Sequence, residues 1–156
     1  MKTRFTFQEI SPKLYDGLSR IDHFTKSLLD PTLSELVRYR VSQINSCAYC
    51  LEMHYKEAIH RGEDELRLHS LPAWRECPYY SDSERAALEF AEAVTKPSKY
   101  GLSDAIYNEL SIYFNKEQIM ALTAVILHIN CWNRLNHVTR PALGKYQVGQ
   151  FEKLSE

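Results

Sequence analysis

Two cysteines three residues apart are followed one turn later by a histidine in Cys47-Ala48-Tyr49-Cys50-Leu51-Glu52-Met53-His54, and an acidic residue, Glu35, stands twelve positions before the first sulfur. In a helix, offsets of three, four and seven bring Cys47, Cys50 and His54 to one face, so two thiols and an imidazole can share one small volume. That is a unit for thiol chemistry: one sulfur attacks, the other resolves the product into a disulfide, and the imidazole moves the proton. His54 lies four residues beyond Cys50, which favours Cys50 as the nucleophile and Cys47 as the sulfur that resolves a Cys50 sulfenic acid. A helix beginning at Asn45 or Ser46 favours the other order, because the unpaired amides and dipole of a first turn stabilise a thiolate at Cys47. At this level the order stays open.

The elements around the motif must bring Glu35 to it. Twelve residues of unbroken helix would hold Glu35 roughly 18 Å along the axis from Cys47. Asn45 and Ser46 prefer to cap a helix rather than continue one, so the chain is expected to break there and fold back, letting Glu35 orient His54 or accept its proton. The competing use of Glu35 is a capping box with Thr32. Apolar residues recur at helical spacing throughout and no segment alternates with period two, which predicts an all-α bundle of about six to seven helices in a single domain over residues 1–156. Helices are expected over Pro12 to Leu29, Leu33 to Ile44, Cys47 to His60-Arg61 with Gly62 as its stop, Asp64 to Ser70, Ser81 to Lys96, Ser103 to Phe114, and Asn115 to His137. Ser81 with Glu84 and Asn115 with Gln118 carry capping signals. The loop through Pro72, Trp74 and Pro78 is a candidate lid or partner contact, and Thr139 to Glu156 reads as an arm. The stretch Ile119 to Leu127 is apolar on all sides, which predicts burial centrally or against another subunit.

Composition narrows the function. The 156 residues are 44% hydrophobic and 25% charged with a formal net charge of −1, and no basic cluster offers a footprint for nucleic acid. The amino-terminal residues lack an apolar h-region and no apolar run is long enough to span a bilayer, so the expected location is cytoplasmic, with no membrane partner. In a reducing compartment a C-x-x-C pair is more often catalytic or metal-binding than a static bridge. Zinc would need Cys47, Cys50 and His54 plus His60, Cys77 or Cys131, yet no second C-x-x-C or H-x3-H cluster completes a tetrahedral set. Zinc is therefore the weaker reading beside redox chemistry. Cys77 and Cys131 read as structural, His128 and His137 as core or interface histidines, and Trp132, Asn133 and Arg134 as packing residues, with Arg134 a partner for a buried carboxylate.

The E-x11-C-x2-C-x3-H pattern, together with Asn130-Cys131-Trp132-Asn133-Arg134-Leu135 on a later helix, resembles the alkylhydroperoxidase AhpD-like branch of the carboxymuconolactone decarboxylase family. The resemblance runs from Leu33 to about Arg140. It implies a compact all-α fold assembled as a homo-oligomer, a trimer or hexamer, and thiol-dependent reduction of hydroperoxides with no metal or bound organic cofactor. It also implies a Glu35–His54 proton relay to Cys50 and Cys47, and electrons drawn from a lipoylated or other dithiol donor protein. The best-studied type has a second histidine immediately before the second cysteine; here that position is Tyr49. The rival readings are a lactone decarboxylase-like enzyme using the imidazole as acid or base, a redox sensor or interaction module that does not turn over, and a zinc-stapled helical domain.

Overall fold

The computed structural model describes residues 2–6, 9 and 11–151. Among them run helices α1 (Pro12–Lys26), α2 (Pro31–Ile44), α3 (Ala48–His60), α4 (Glu65–Ser70), a single 3-10 turn (Leu71–Ala73), α5 (Asp82–Thr95), α6 (Asp104–Tyr113) and α7 (Lys116–Thr139), with one isolated bridge between Ser98 and Gly101. The chain is all-α, as its periodicity predicts.

Local chemistry sets most helix ends. Ser81 with Glu84 and Asn115 with Gln118 form complete capping boxes, and the side chains of Asp64 and Ser103 cap α4 and α6. Such caps satisfy amide donors that a first turn leaves unpaired. Gly62, with φ +90°, ends α3 in the left-handed region that glycine enters without a Cβ penalty. Two boundaries correct the sequence reading. Helix α1 stops at Lys26 rather than Leu29. The cap of α2 is Asp30, whose Oδ1 accepts the Leu33 amide at 2.9 Å with Pro31 in the first turn, while Thr32 is exposed. Asp30 succeeds because its carboxylate reaches the N3 amide and Pro31 has no N–H to satisfy. Glu35 is thereby free for another use.

Helices α2, α5 and α7 meet at the centre, where Val37, Val41, Ala87, Ala91, Leu122, Val125 and Ile126 are wholly buried. Truncating a residue such as Leu122 to Ala would cost about 2–5 kcal/mol, because lost transfer energy and an unfilled cavity add. A second cluster holds Leu36, Leu68, Leu71, Trp74 and Leu88. The segment read as a candidate lid or partner contact belongs to this cluster: Trp74 donates its indole N–H to Glu92 at 2.9 Å, and the Tyr80 hydroxyl donates to the Arg67 carbonyl at 2.5 Å. These aromatics cover a core edge. Helix α7 is also not buried all round, since Met120 and Leu127 are 63% and 58% exposed. Beyond Arg140, which takes the left-handed conformation, the chain follows an irregular path to residue 151; the rest of the predicted arm, 152–156, lies outside the described residues. No helix among the described residues is long and apolar enough to cross a membrane.

Candidate active site

The reversal between α2 and α3 is made in three residues. Asn45 is the C-cap of α2, Ser46 adopts φ +54°, and Cys47 is the N-cap of α3. Cys47 thus stands just outside the helix, one position earlier than a cap at Ser46 would give. A left-handed serine costs roughly 1–2 kcal/mol, and side chains of α7 hold it in place. The Asn45 amide donates to Asn130 Oδ1 at 2.9 Å and to Asn133 Oδ1 at 2.8 Å. Asn133 in turn donates to Ser42 Oγ at 3.2 Å, and His137 Nε2 lies 2.9 Å from the Asn45 carbonyl oxygen. Asn133 has no exposed surface, so its amide stays paired or costs the fold.

Folding α3 back along α2 puts Glu35 against His54, with Oε2 at 2.8 Å from Nδ1. The other carboxylate oxygen accepts Arg38 Nη1 at 2.9 Å, and Arg38 Nη2 donates to Asp22 Oδ1 at 2.7 Å. Burial works against charge on Glu35, but the charges and hydrogen bonds of His54 and Arg38 outweigh it and hold the carboxyl at about 2. A permanent carboxylate accepts from Nδ1–H and thereby fixes the His54 tautomer. The opposite nitrogen, Nε2, is buried without a hydrogen-bond partner among the described residues.

The two sulfurs are 2.6 Å apart, both thiols are free, and both are almost wholly buried. Their shared hydrogen bond splits their acidities. The bond to Cys50 is the largest influence on Cys47, and with help from His137 and Asn133 it overcomes burial and brings that thiol down to about 6. The same bond, joined by burial and the charge on Cys47, drives the Cys50 thiol far up, opposed by amide donors from Asn136 and Asn133. Asn136 Nδ2 lies 3.2 Å from Cys50 Sγ.

Cys50, His54 and Glu35 line one cavity of about 470 Å³, and Cys47 does not. Tyr15, Tyr49, Met53, Ile129, Trp132 and Tyr146 contribute its largely apolar wall, and residues 3, 5 and 6 and 141–151 supply its outer rim. Tyr49, where the second histidine of the resembled type would stand, meets Tyr146 edge-on at 6.4 Å. Burial pushes its phenol up to about 12, so it is a neutral wall residue rather than a base. His128 also lines the cavity and accepts the Trp132 indole N–H at 2.8 Å. Burial and the nearby Arg38 charge hold it down to about 4, hence neutral.

The four residues read from the motif therefore converge, and the loop around Trp74 does not join them. His60 is exposed, Cys77 packs in the second cluster, and neither Cys77 nor Cys131 lines the cavity. Among the described residues no group of three or more His, Cys, Asp or Glu side chains is placed to hold a metal ion. Among the described residues Arg134 pairs with no carboxylate; its Nη1 donates to the carbonyl and the side-chain oxygen of Asn130, both at 2.8 Å. Sequence reasoning missed Asp22, Arg38, His128 and Asn136. Two signals were present: Arg38 follows Glu35 at three residues, and Asn133 and Asn136 are a polar pair at the same spacing on an apolar helix.

Known proteins share this chain's sequence and fold. The model of the carboxymuconolactone decarboxylase family matches residues 12–93. The uncharacterized protein YdfG of Bacillus subtilis (strain 168) is 37% identical over 137 residues, 87% of this chain and 93% of its own length. The crystal structure of ATU0492 from Agrobacterium tumefaciens, a protein of unknown function and candidate antioxidant defence protein AhpD, superposes with a TM-score of 0.85 at 34% identity, over 90% of this chain and 97% of that one. An uncharacterized peroxidase-related protein from Silicibacter sp. TM1040 gives a TM-score of 0.71 at 25% identity, over 85% of this chain and 73% of that one.

Proposed function

This chain belongs to the carboxymuconolactone decarboxylase family, and from that premise we propose that it is a thiol-dependent peroxidase that reduces organic hydroperoxides by cycling Cys47 and Cys50 between dithiol and disulfide. The observation that carries the reading is the meeting of two free sulfurs at 2.6 Å with a Glu35-anchored histidine whose second nitrogen is unpaired, at the wall of one cavity. The relatives described as antioxidant or peroxidase-related support the same class. A cavity of about 470 Å³ with aromatic walls suits a bulky organic hydroperoxide better than hydrogen peroxide.

Cys50 attacks, because it borders the cavity and Cys47 does not. His54 Nε2 takes the Cys50 proton, directly or across one water, and Glu35 stabilises the imidazolium. The Cys50 thiolate attacks the terminal oxygen of the hydroperoxide. An S–O bond forms, the O–O bond breaks, and the departing alkoxide takes the proton back from His54 as it leaves as the alcohol. Cys47 then attacks the Cys50 sulfenic acid as the thiolate; the S–S bond forms, the S–O bond breaks, and the hydroxide leaves as water with a proton from solvent, replacing the one Cys47 had released at rest. In sum ROOH and two thiols give ROH, water and a disulfide. A dithiol donor, small or carried on a protein, returns two electrons and two protons by exchange at Cys50. The homo-oligomer implied by the family resemblance belongs to the same proposal.

The test is a free-thiol count with peptide mapping on fully reduced protein before and after one equivalent of cumene hydroperoxide. Two thiols should be lost into a Cys47–Cys50 link in the wild type. Cys50→Ser should retain Cys47 as thiol, and Cys47→Ser should stop at a trapped Cys50 sulfenic acid. Survival of both thiols in the wild type would reject the peroxidase and turn attention to acid–base chemistry at His54.

A further inference from the structure

At rest the negative charge of the cysteine pair belongs on Cys47, the sulfur that does not border the cavity, so the peroxidase reading needs something that moves charge to Cys50. Resting on that reading, we propose that Asn136 is a catalytic residue: its side-chain amide donates to Cys50 Sγ and stabilises the thiolate there, which makes Cys50 the attacking sulfur.

The geometry is specific to Cys50. Asn136 lines the cavity from the last turns of α7, with Nδ2 3.2 Å from Cys50 Sγ. Asn133, one turn earlier, is divided among several partners: it accepts from Asn45, donates to Ser42 and favours the thiolate of Cys47 as well as that of Cys50, so it does not distinguish the two sulfurs. An amide N–H can only donate. It gains little from a protonated thiol, which itself needs an acceptor, and much more from a thiolate. The contact is therefore stronger in the state that reacts than in the resting state, which is the condition for lowering a barrier rather than merely binding. When Cys50 gives up its proton, the 2.6 Å contact with Cys47 no longer shares it, and Asn136 remains to carry the charge. The chain traces the same logic from the other side: removing the donor leaves Cys47 the better thiolate but the one without access to the cavity.

The experiment isolates Cys50 in a Cys47→Ser, Cys77→Ser, Cys131→Ser background, which removes the other three free thiols, and compares Asn136 with Asn136→Leu and with the isosteric Asn136→Asp. The charged and titratable groups around the sulfur, Ser-substituted Cys47 and His54 on its own helix, Glu35 and Arg38 on α2, and His128 and His137 on α7, are the same in all three proteins. Thiolate absorbance is followed against pH, and sulfenic acid formation with cumene hydroperoxide is followed by dimedone trapping. Both substitutions should move the Cys50 titration to higher pH, Asp further than Leu because it adds a like charge. Trapping near neutral pH should slow by roughly 10- to 100-fold, at or below the loss from an oxyanion-hole donor since sulfur is the softer acceptor. Circular dichroism identifies a variant that fails to fold, in which case the other decides. An unmoved titration in a folded variant overturns the assignment. The titration needs no hydroperoxide, so failure of the Asn136 assignment is distinguishable from failure of the peroxidase reading, which would appear as an inert wild type.

Discussion

Glu35 and His128 are buried ionisable groups on facing helices, and their shifts make stability depend on pH in two separate windows. Glu35 is held at about 2 against an ordinary 4.5. Its contribution is present above 4.5 and is lost as pH falls towards 2, about 3 kcal/mol when complete. His128 is neutral in the fold and held at about 4 against an ordinary 6.5. The unfolded chain takes up that proton first, so stability falls as pH drops from 6.5 to 4, again by about 3 kcal/mol, and no further below that. Acid should therefore begin to weaken the wild type through His128 near pH 6.5, above the pH at which the Glu35 contribution starts to fall. His128→Gln keeps an oxygen able to accept the Trp132 N–H and carries no proton, so it should flatten the upper window and leave the lower one. Denaturant midpoints measured across pH 4 to 7 check this, and equal slopes in both proteins would refute it. Glu35→Gln tests the same residue's catalytic role. A neutral amide cannot stabilise an imidazolium as a carboxylate does, and Cys50 sulfenic acid formation should slow by roughly 10²-fold, within the range for lost general acid–base assistance. Unchanged kinetics would remove Glu35 from the relay.

At the scale of elements, the Asn45-Ser46-Cys47 turn decides whether the site exists. Its left-handed serine is a local strain offset by the asparagines of α7. Ser46→Gly should raise stability by about 0.5–1 kcal/mol, and Ser46→Val should lower it by about 1–2 kcal/mol, since a β-branched residue tolerates positive φ worst. Urea unfolding of the pair measures the difference; equal stabilities would mean that the strain lies elsewhere. The turn also marks where the chain was legible. The break after Ile44, the meeting of Cys47 with Cys50, and the return of Glu35 to His54 followed from cap preferences and helical spacing, both local rules; the one face expected to carry Cys47 with Cys50 and His54 did not, because Cys47 is the N-cap and stands off the cavity. What escaped was non-local. Thr32 and Asp30 both satisfy a capping rule, and only Pro31 and the packed structure favour Asp30. Asp22 and His128 come to the site from α1 and α7, and their roles follow from how those helices pack, which no spacing within one helix encodes; the spacing of Arg38 from Glu35 and of Asn136 from Asn133 was visible, but not the Asp22 and Cys50 partners they meet. The Trp74 loop read as a lid because aromatic residues near prolines look alike whether they cover a pocket or a core edge.

Across the whole molecule, α1 and α7 have two faces with different uses. Their inner face lines the cavity through Tyr15, Asp22, His128, Trp132 and Asn136, and their outer face leaves Ile21, Phe24, Met120 and Leu127 exposed. Arg20, Ile21, Phe24, Ala124 and Leu127 line a shallow apolar hollow between the two helices on that outer side. Exposed aliphatic and aromatic side chains grouped across two neighbouring helices mark a contact surface more than a solvated one, and the homo-oligomer in the functional proposal needs such a face. A second copy seated there would brace the helices that hold one side of the cavity, so assembly and reactivity should change together. Light scattering of the wild type should give a multiple of the 18.2 kDa chain. The double variant Phe24→Glu, Leu127→Glu puts repelling charge at the centre of the face without touching the cavity, and should dissociate to single chains while keeping its helical circular dichroism. Its rate of Cys47–Cys50 disulfide formation should fall, because α1 and α7 lose a support. A wild type that scatters as one chain, or a variant that stays assembled, would assign this face to something other than the chain itself.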